Sequence, residues 1–247
     1  MISDLANPER FERLVRPVQP ALAAISLLLA AAGLYYALFA SPPDYQQGES
    51  VRIMYVHVPA SWMALFCYSV IAISSATGFI WKHPLADVTA KATAPIGAVF
   101  TALALFTGSI WGKPMWGAWW AWDARLTSVL ILFFLYLGYM AIWETVEDKS
   151  RAARLAAVVA IVGFVNIPII HFSVDWWNSL HQPASIFRPE GPTVAPSMLA
   201  PLFLMALAYT TGYGALVLAA MKNELIARRL QRLRDVAGRK ASTVEVK

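Results

Sequence analysis

Six long runs of apolar residues dominate this sequence, and each could cross a lipid bilayer. A hydrocarbon core of roughly 30 Å needs about 20 predominantly apolar residues in a helix. The runs cover approximately 18–40, 58–81, 92–111, 126–144, 154–171 and 199–221. Hydrophobic residues make up 58% of the chain and charged residues only 14%, a balance unlike that of soluble domains. We therefore predict an all-α polytopic membrane protein with six transmembrane helices.

The basic residues are distributed unevenly between the two sides of such a bundle. Short loops rich in Lys and Arg stay in the cytoplasm, and an even number of spans puts both termini on one side. Of the 20 Lys and Arg residues, only four fall in the loops on the other side: Arg52, Lys113, Arg125 and Arg188. We therefore expect both termini to be cytoplasmic. This topology also explains the formal charge of +5, so nucleic acid is not expected as a partner.

The chain divides into a bundle and a basic tail. No long linker or low-complexity segment interrupts residues 1–221, which favours one compact unit. Residues 222–247 place apolar side chains at near-helical spacing among many arginines, which predicts a cytoplasmic amphipathic tail. Such a helix can lie on anionic membrane lipid or dock on a partner, and lipid is the simpler interpretation. The loops facing away from the termini are the elaborate ones, above all the predicted loop 111–125.

Five of the ten tryptophans lie within twelve residues of this loop: Trp111, Trp116, Trp119, Trp120 and Trp122. A tryptophan at the end of a span is ordinarily an anchor in the membrane interface. That explanation does not account for so many in one short segment. Indole rings offer wide, stiff contact surfaces, which suit a flat, apolar ligand such as a porphyrin.

The four histidines are His57, His83, His171 and His181. The predicted topology places His57 and His181 on the same side of the membrane as the tryptophans. His171 ends the fifth span at that side and is a rival candidate, whereas His83 lies on the opposite side. Haem iron takes axial imidazole ligands, so we interpret His57 and His181 as candidate iron ligands. For each histidine alone, a hydrogen-bonded residue at the membrane surface is the competing interpretation.

Three charged residues neighbour these elements. Arg52 and Arg125 could bind the propionates of a haem bidentately, or pair with lipid phosphate. Asp123 follows the last tryptophan of the cluster and could fix the loop. Capping of the fourth span would by itself be a sufficient role for this residue.

Several motifs are absent from the sequence. It contains no Gly-x-x-x-x-Gly-Lys-Ser/Thr loop, so any ATPase activity is expected in a partner subunit and not in this chain. It contains no Cys-x-x-Cys-His, so a bound haem would be held without covalent attachment. Cys67 is the only cysteine, which excludes a disulfide within the chain.

The segment 116–123, Trp-Gly-Ala-Trp-Trp-Ala-Trp-Asp, resembles the tryptophan-rich WWD signature of the haem-handling proteins of cytochrome c maturation. The resemblance is closest to the CcmC family, the haem exporter C proteins. Supporting segments are 44–48, 57–60, 94–100, 166–171 and 176–182. The similarity covers most of the chain and fades at the termini.

This resemblance implies a non-enzymatic role at the bacterial inner membrane. Haem b would be held as transient cargo at the periplasmic face, with His57 and His181 as axial ligands. The loop residues implied to contact it are Trp116, Trp119, Trp120, Trp122 and Asp123. The family passes haem to the chaperone CcmE and works with CcmA and CcmB, an ATPase and its membrane subunit, and with the small protein CcmD.

Two other functions compete with haem delivery. A b-type cytochrome would also use bis-histidine haem for electron transfer, but such proteins usually place their ligands within helices at membrane depth. A haem-translocating pore would need polar residues within the spans, and these are sparse. Asn166 and Thr101 are among the few, and helix packing explains them adequately.

Overall fold

The computed structural model describes residues 8–245, with side chains described over 9–238. Its α-helices are α1 (Pro8–Tyr35), α2 (Met54–Trp81), α3 (Ala86–Trp116), α4 (Ala124–Thr145), α5 (Lys149–Gly163), α6 (Asn166–Trp176) and α7 (Pro196–Glu245). A π-helical turn, Tyr36–Ala40, extends α1, and a 3₁₀ turn, Glu49–Ile53, precedes α2. Within the described range there is no β-strand beyond an isolated bridge between Asp44 and Gly48.

Six helical units are long and apolar enough to cross a membrane, which confirms the predicted number of spans. They are Glu9–Ala40, Glu49–Trp81, Ala86–Trp116, Ala124–Thr145, Lys149–Trp176 and Pro196–Gly238. All six are longer than the corresponding apolar runs, because backbone hydrogen bonds continue a helix into polar flanks that hydropathy does not mark. The fifth unit contains two helices, α5 and α6, separated at 164–165.

Tyrosines cross between the helices where glycines leave room for them. The Tyr136 hydroxyl of α4 donates to the Ala64 carbonyl of α2, at 2.6 Å. A Cβ atom at Gly97 would clash with the Tyr136 ring, and one at Gly163 would clash with the Tyr68 hydroxyl. These contacts join α2, α3, α4 and α5 into one core, while α1 packs mainly on α7.

The predicted loop 111–125 is shorter in the structure. Helix α3 continues through Pro114 to Trp116 and ends at Gly117, whose φ of 77° is the left-handed geometry that suits glycine. Helix α4 begins at Ala124 and is capped by Asp123, whose Oδ1 accepts from the Leu126 N–H at 2.8 Å. Only 117–123 is therefore a loop.

The described part of the basic segment, residues 222–245, is helical and continues α7 without a break. Ile226, Leu230, Leu233 and Val236 are exposed along it. The sixth span and the start of the tail thus form one continuous helix.

Candidate haem-binding cavity

A cavity of about 380 Å³ lies at one end of the bundle, within the usual range of about 300–1,000 Å³ for small-molecule sites. Its walls are the start of α2, the end of α3, the start of α4, helix α6 and the segment 177–195. Both predicted ligands line it: His57 from the first turn of α2 and His181 from the segment before α7. His171 of α6 lines it too. Residues far apart in sequence therefore share one chamber.

His57 is held by α3. Its Nδ1 atom lies 3.0 Å from the Thr107 hydroxyl, and that hydroxyl lies 2.6 Å from the Leu103 carbonyl. A carbonyl only accepts, so the single hydroxyl proton goes to Leu103 and the hydroxyl oxygen accepts from His57 Nδ1–H. In the neutral imidazole, Nε2 then carries the free lone pair that a metal needs.

The close fit of the His57 ring depends on a glycine and an indole. A Cβ atom at Gly108 would lie 3.0 Å from His57 Cε1, so even Ala at this position would crowd the imidazole. On another side the Trp111 ring meets it edge to face, with centroids 5.6 Å apart. Packing and the Thr107 hydrogen bond together restrict the orientation of the ring.

The Nδ1 atom of His181 lies between an acceptor and a donor. The Gln182 carbonyl is 3.0 Å away and Arg125 Nη1 is 3.3 Å away. The shorter contact requires a proton on Nδ1, which again leaves Nε2 free. Burial lowers the pKa of His181, although the hydrogen bond to the Gln182 carbonyl opposes the shift. A neutral imidazole is the form that can ligate iron.

Asp123 connects the tryptophan loop to the segment carrying His181. While Oδ1 caps α4, Oδ2 accepts from the Ser179 hydroxyl at 2.7 Å and from the Leu180 N–H at 3.2 Å. Ser179 Oγ in turn accepts from the His181 N–H at 3.1 Å. One carboxylate therefore positions both the start of α4 and the backbone of His181, although it does not line the cavity.

The tryptophans of the cluster divide into two groups. Trp111, Trp116 and Trp120 line the cavity, with the Trp116 ring centroid 6.4 Å from that of His181. Trp119 and Trp122 do not line it and are 59% and 77% exposed. The end of α3 and the loop together thus present indoles both to the chamber and to its outer surroundings.

The two predicted arginines have different surroundings. Arg125 lines the cavity and donates to the Ser173 hydroxyl at 3.1 Å and to the His171 carbonyl at 2.9 Å, besides its contact with His181. Arg52 lies outside the lining, where it is bound to the Glu49 carboxylate and the Ala37 carbonyl. Only Arg125 is placed to act on a ligand in this chamber.

Sequence reasoning did not identify Thr107, Ser179 or Gln47 as site residues. Gln47 lines the cavity, and its Oε1 accepts from the Trp111 indole N–H at 2.9 Å. A lone Thr in an apolar helix gives no local signal, because only helix packing brings it to a histidine 50 positions earlier. The Asp44–Gly48 turn could have drawn attention to Gln47, since it fixes a polar side chain beside the tryptophans.

The donor set favours a metal that arrives with ligands of its own. A bare zinc or iron ion takes three or more protein ligands. Among the residues that the structure describes, no group of three His, Cys, Asp or Glu side chains could hold one. Three histidines line this chamber, and a pair of them, such as the predicted His57 and His181, suits a metalloporphyrin, which supplies four equatorial nitrogens and leaves two axial positions.

Comparison with known proteins places the chain among haem exporters. The family model described as heme exporter protein C, CcmC, matches residues 1–236. The heme exporter protein C of Bradyrhizobium diazoefficiens is 56% identical over 230 residues, which cover 93% of this chain and 87% of the relative. Those of Haemophilus influenzae and Escherichia coli K12 are 45% and 41% identical, and the alignments cover 90% and 91% of both chains, respectively.

Proposed function

The chain belongs to the heme exporter protein C family, a family of haem export in cytochrome c biogenesis, and from this premise we propose that it binds haem b in the cavity and delivers it to an acceptor. His57 and His181 provide the two axial nitrogens. The observation that carries this proposal is that both imidazoles line one chamber and each has Nδ1 engaged elsewhere. Each Nε2 is then the atom that meets iron.

The remaining lining residues have distinct roles in this proposal. Trp116 and Trp120 pack against the macrocycle, because large apolar ring surfaces exclude water and grip a flat ligand. Arg125 lies close enough to His181 to contact a propionate, which a guanidinium binds well. Since no covalent bond forms with this chain, the haem can leave once an acceptor competes for it.

Delivery would occur on the periplasmic side of the bacterial inner membrane, with both termini in the cytoplasm. The distribution of basic residues supports this orientation. The acceptor is the haem chaperone CcmE, and the exposed Trp119 and Trp122 give it a contact surface on the loop whose remaining indole, Trp120, lines the cavity. CcmA and CcmB, as an ABC transporter, and CcmD complete the complex. Energy from ATP is supplied by that transporter.

Absorption spectra of the purified chain test the haem site. We expect low-spin bands in the wild type before and after dithionite, and their loss in His57→Ala and in His181→Ala. His83→Ala is the matched control, because His83 lies at the opposite end of the bundle. Unchanged haem occupancy in both ligand variants would disprove the assignment. Loss in His171→Ala alone would move ligation to that residue.

Transfer kinetics separate delivery from electron transfer. The haem-loaded chain is mixed with the purified acceptor, CcmE, in one experiment and with a quinol in another. Delivery predicts that haem moves to the acceptor faster than quinol reduces it. Fast reduction without transfer would instead indicate a b-type cytochrome.

Orientation can be tested by cysteine labelling. Cys67 is buried, so new cysteines can be introduced at exposed positions without removing it. A membrane-impermeant maleimide should label Glu190→Cys in intact spheroplasts and Ser150→Cys only after lysis. The reverse pattern would invert the topology.

A further inference from the structure

A second cavity, of about 330 Å³, lies at the end of the bundle opposite the haem cavity. The end of α2, the turn after it, the start of α3, the end of α4, the start of α5 and helix α7 surround it. None of its lining residues belongs to the first chamber. The proposed haem site therefore does not account for it.

Its lining carries more positive than negative charge. Lys82, Arg154 and Arg228 line it together with one carboxylate, Asp87. Arg228 is committed to Asp87, at 2.7 Å, and to Glu224, at 2.8 Å. Within the described part of the chain, neither Lys82 nor Arg154 forms an ion pair with a carboxylate, and Arg154 donates only to the Ser150 hydroxyl. Two cations thus remain available to a ligand, although Arg154 also interacts with the charge of Asp148.

The same lining contains a buried donor whose hydrogen bonding is incomplete. Trp143 is only 3% exposed, and its indole N–H makes no hydrogen bond of suitable geometry in the described structure, although the Tyr139 hydroxyl lies close to it. An indole N–H can only donate, and buried donors are ordinarily satisfied. Lys91 and Arg228 already face the ring, 5.1 Å and 6.0 Å from its centroid. Lys82, Arg154 and this indole N–H are therefore the donors that a negatively charged ligand would meet in the cavity.

The rim of this cavity is apolar and exposed. Phe79, which lines it, is 52% exposed, and the neighbouring Ile80 and Trp81 are 61% and 71% exposed. These residues end a membrane-spanning helix, where aromatic side chains sit at the level of lipid headgroups. Basic pockets between helices at this level bind anionic headgroups.

We propose that this second cavity binds a phosphate group, held by Lys82 and Arg154 with the Trp143 indole N–H as a third donor. An anionic phospholipid headgroup and free phosphate share this chemistry. The apolar rim at Phe79 favours the lipid, because its acyl chains would lie along that surface.

Lipid retention by the full-length protein tests the proposal. The chain is reconstituted in phosphatidylcholine nanodiscs containing phosphatidylglycerol, and retained phosphatidylglycerol is counted by native mass spectrometry. In Lys82→Gln/Arg154→Gln we expect retention weaker by about tenfold, since two charge-assisted contacts are lost. Trp143→Phe, which keeps a ring and removes the N–H, should also reduce it. Lys222→Gln/Arg229→Gln is the matched control, because both residues are exposed, lie at the same end and do not line the cavity.

A second measurement identifies the source of the phosphate. Inorganic phosphate is added to lipid-free protein in detergent, and the thermal unfolding midpoint is measured. A rise in the wild type that is lost in the cavity variants supports free phosphate, and loss of phosphatidylglycerol alone supports the lipid. The proposal is overturned if the cavity variants match the wild type in both measurements, or if the control pair loses as much lipid as they do.

Discussion

The Nδ1 atom of His57 lies 3.0 Å from the hydroxyl of Thr107, one turn of α3 above the Leu103 carbonyl that takes the hydroxyl proton. This pair of contacts couples the tautomer of a histidine on α2 to the packing of α3. A backbone carbonyl that cannot change its role decides which imidazole nitrogen carries the proton.

Replacing Thr107 by Val keeps the shape of the side chain and removes the acceptor. We expect haem affinity to fall by about tenfold, at the lower end of the usual effect of removing a partner that orients a metal ligand. Haem titration followed by absorption measures this. Thr101→Val is the control: its hydroxyl makes the same kind of bond, to the Gly97 carbonyl at 2.7 Å, away from the cavity. Equal affinities in the two variants would show that the tautomer is set by something else.

Replacing Asp123 by Ala should loosen the segment that carries His181. The variant loses a helix cap, which contributes about 1 kcal/mol, and both contacts to 179–180. We expect faster amide exchange over 177–183 and reduced haem occupancy, with helix content retained. Asp148→Ala removes the cap of α5, to Ser150 and Arg151, and should leave 177–183 unchanged. Unaltered exchange in Asp123→Ala would contradict the link.

The two groups of tryptophans should separate binding from delivery. Trp116→Ala or Trp120→Ala removes part of the cavity wall and should lower haem occupancy severalfold, because each half-buried indole offers a large apolar contact to a ligand. Trp119→Ala with Trp122→Ala should leave occupancy near the wild-type value and slow transfer to the acceptor. Occupancy and transfer rate are measured on the same preparations. The proposed roles would be reversed if the Trp119/Trp122 variant lost haem occupancy and the Trp116 and Trp120 variants only slowed transfer.

The two arginines provide a matched comparison of charge. Arg125→Gln removes contacts with Ser173, the His171 carbonyl and His181, and we expect weaker haem binding. Arg52→Gln should leave binding unchanged, since that guanidinium is bound to Glu49 and the Ala37 carbonyl outside the lining. Haem titration of both variants tests this. Loss of haem binding in Arg52→Gln alone would contradict this prediction, because it would place a propionate beside Arg52, outside the cavity.

Much of the architecture could be predicted without coordinates, because it depends on properties that act locally. Runs of about 20 apolar residues must become helices in a bilayer, where every backbone group needs an internal partner. The number of spans followed from this alone. The tryptophan cluster and the positions of His57 and His181 relative to the spans similarly directed attention to one end of the bundle.

Which side chains line the cavity, and how they contact one another, depended on tertiary structure. Hydropathy does not report helix rotation or register. It could not show that Thr107 meets His57 or that Asp123 binds Ser179. Nor could it separate the exposed tryptophans, Trp119 and Trp122, from those that line the chamber, Trp116 and Trp120. Nor could it mark the end of α3, which Gly117 sets beyond Trp116. The sequence by itself determined which segments cross the membrane, because burial in lipid selects by composition. Only the packed helices decided which side chains meet, because contacts between distant residues depend on the angle and register of each helix against its neighbours.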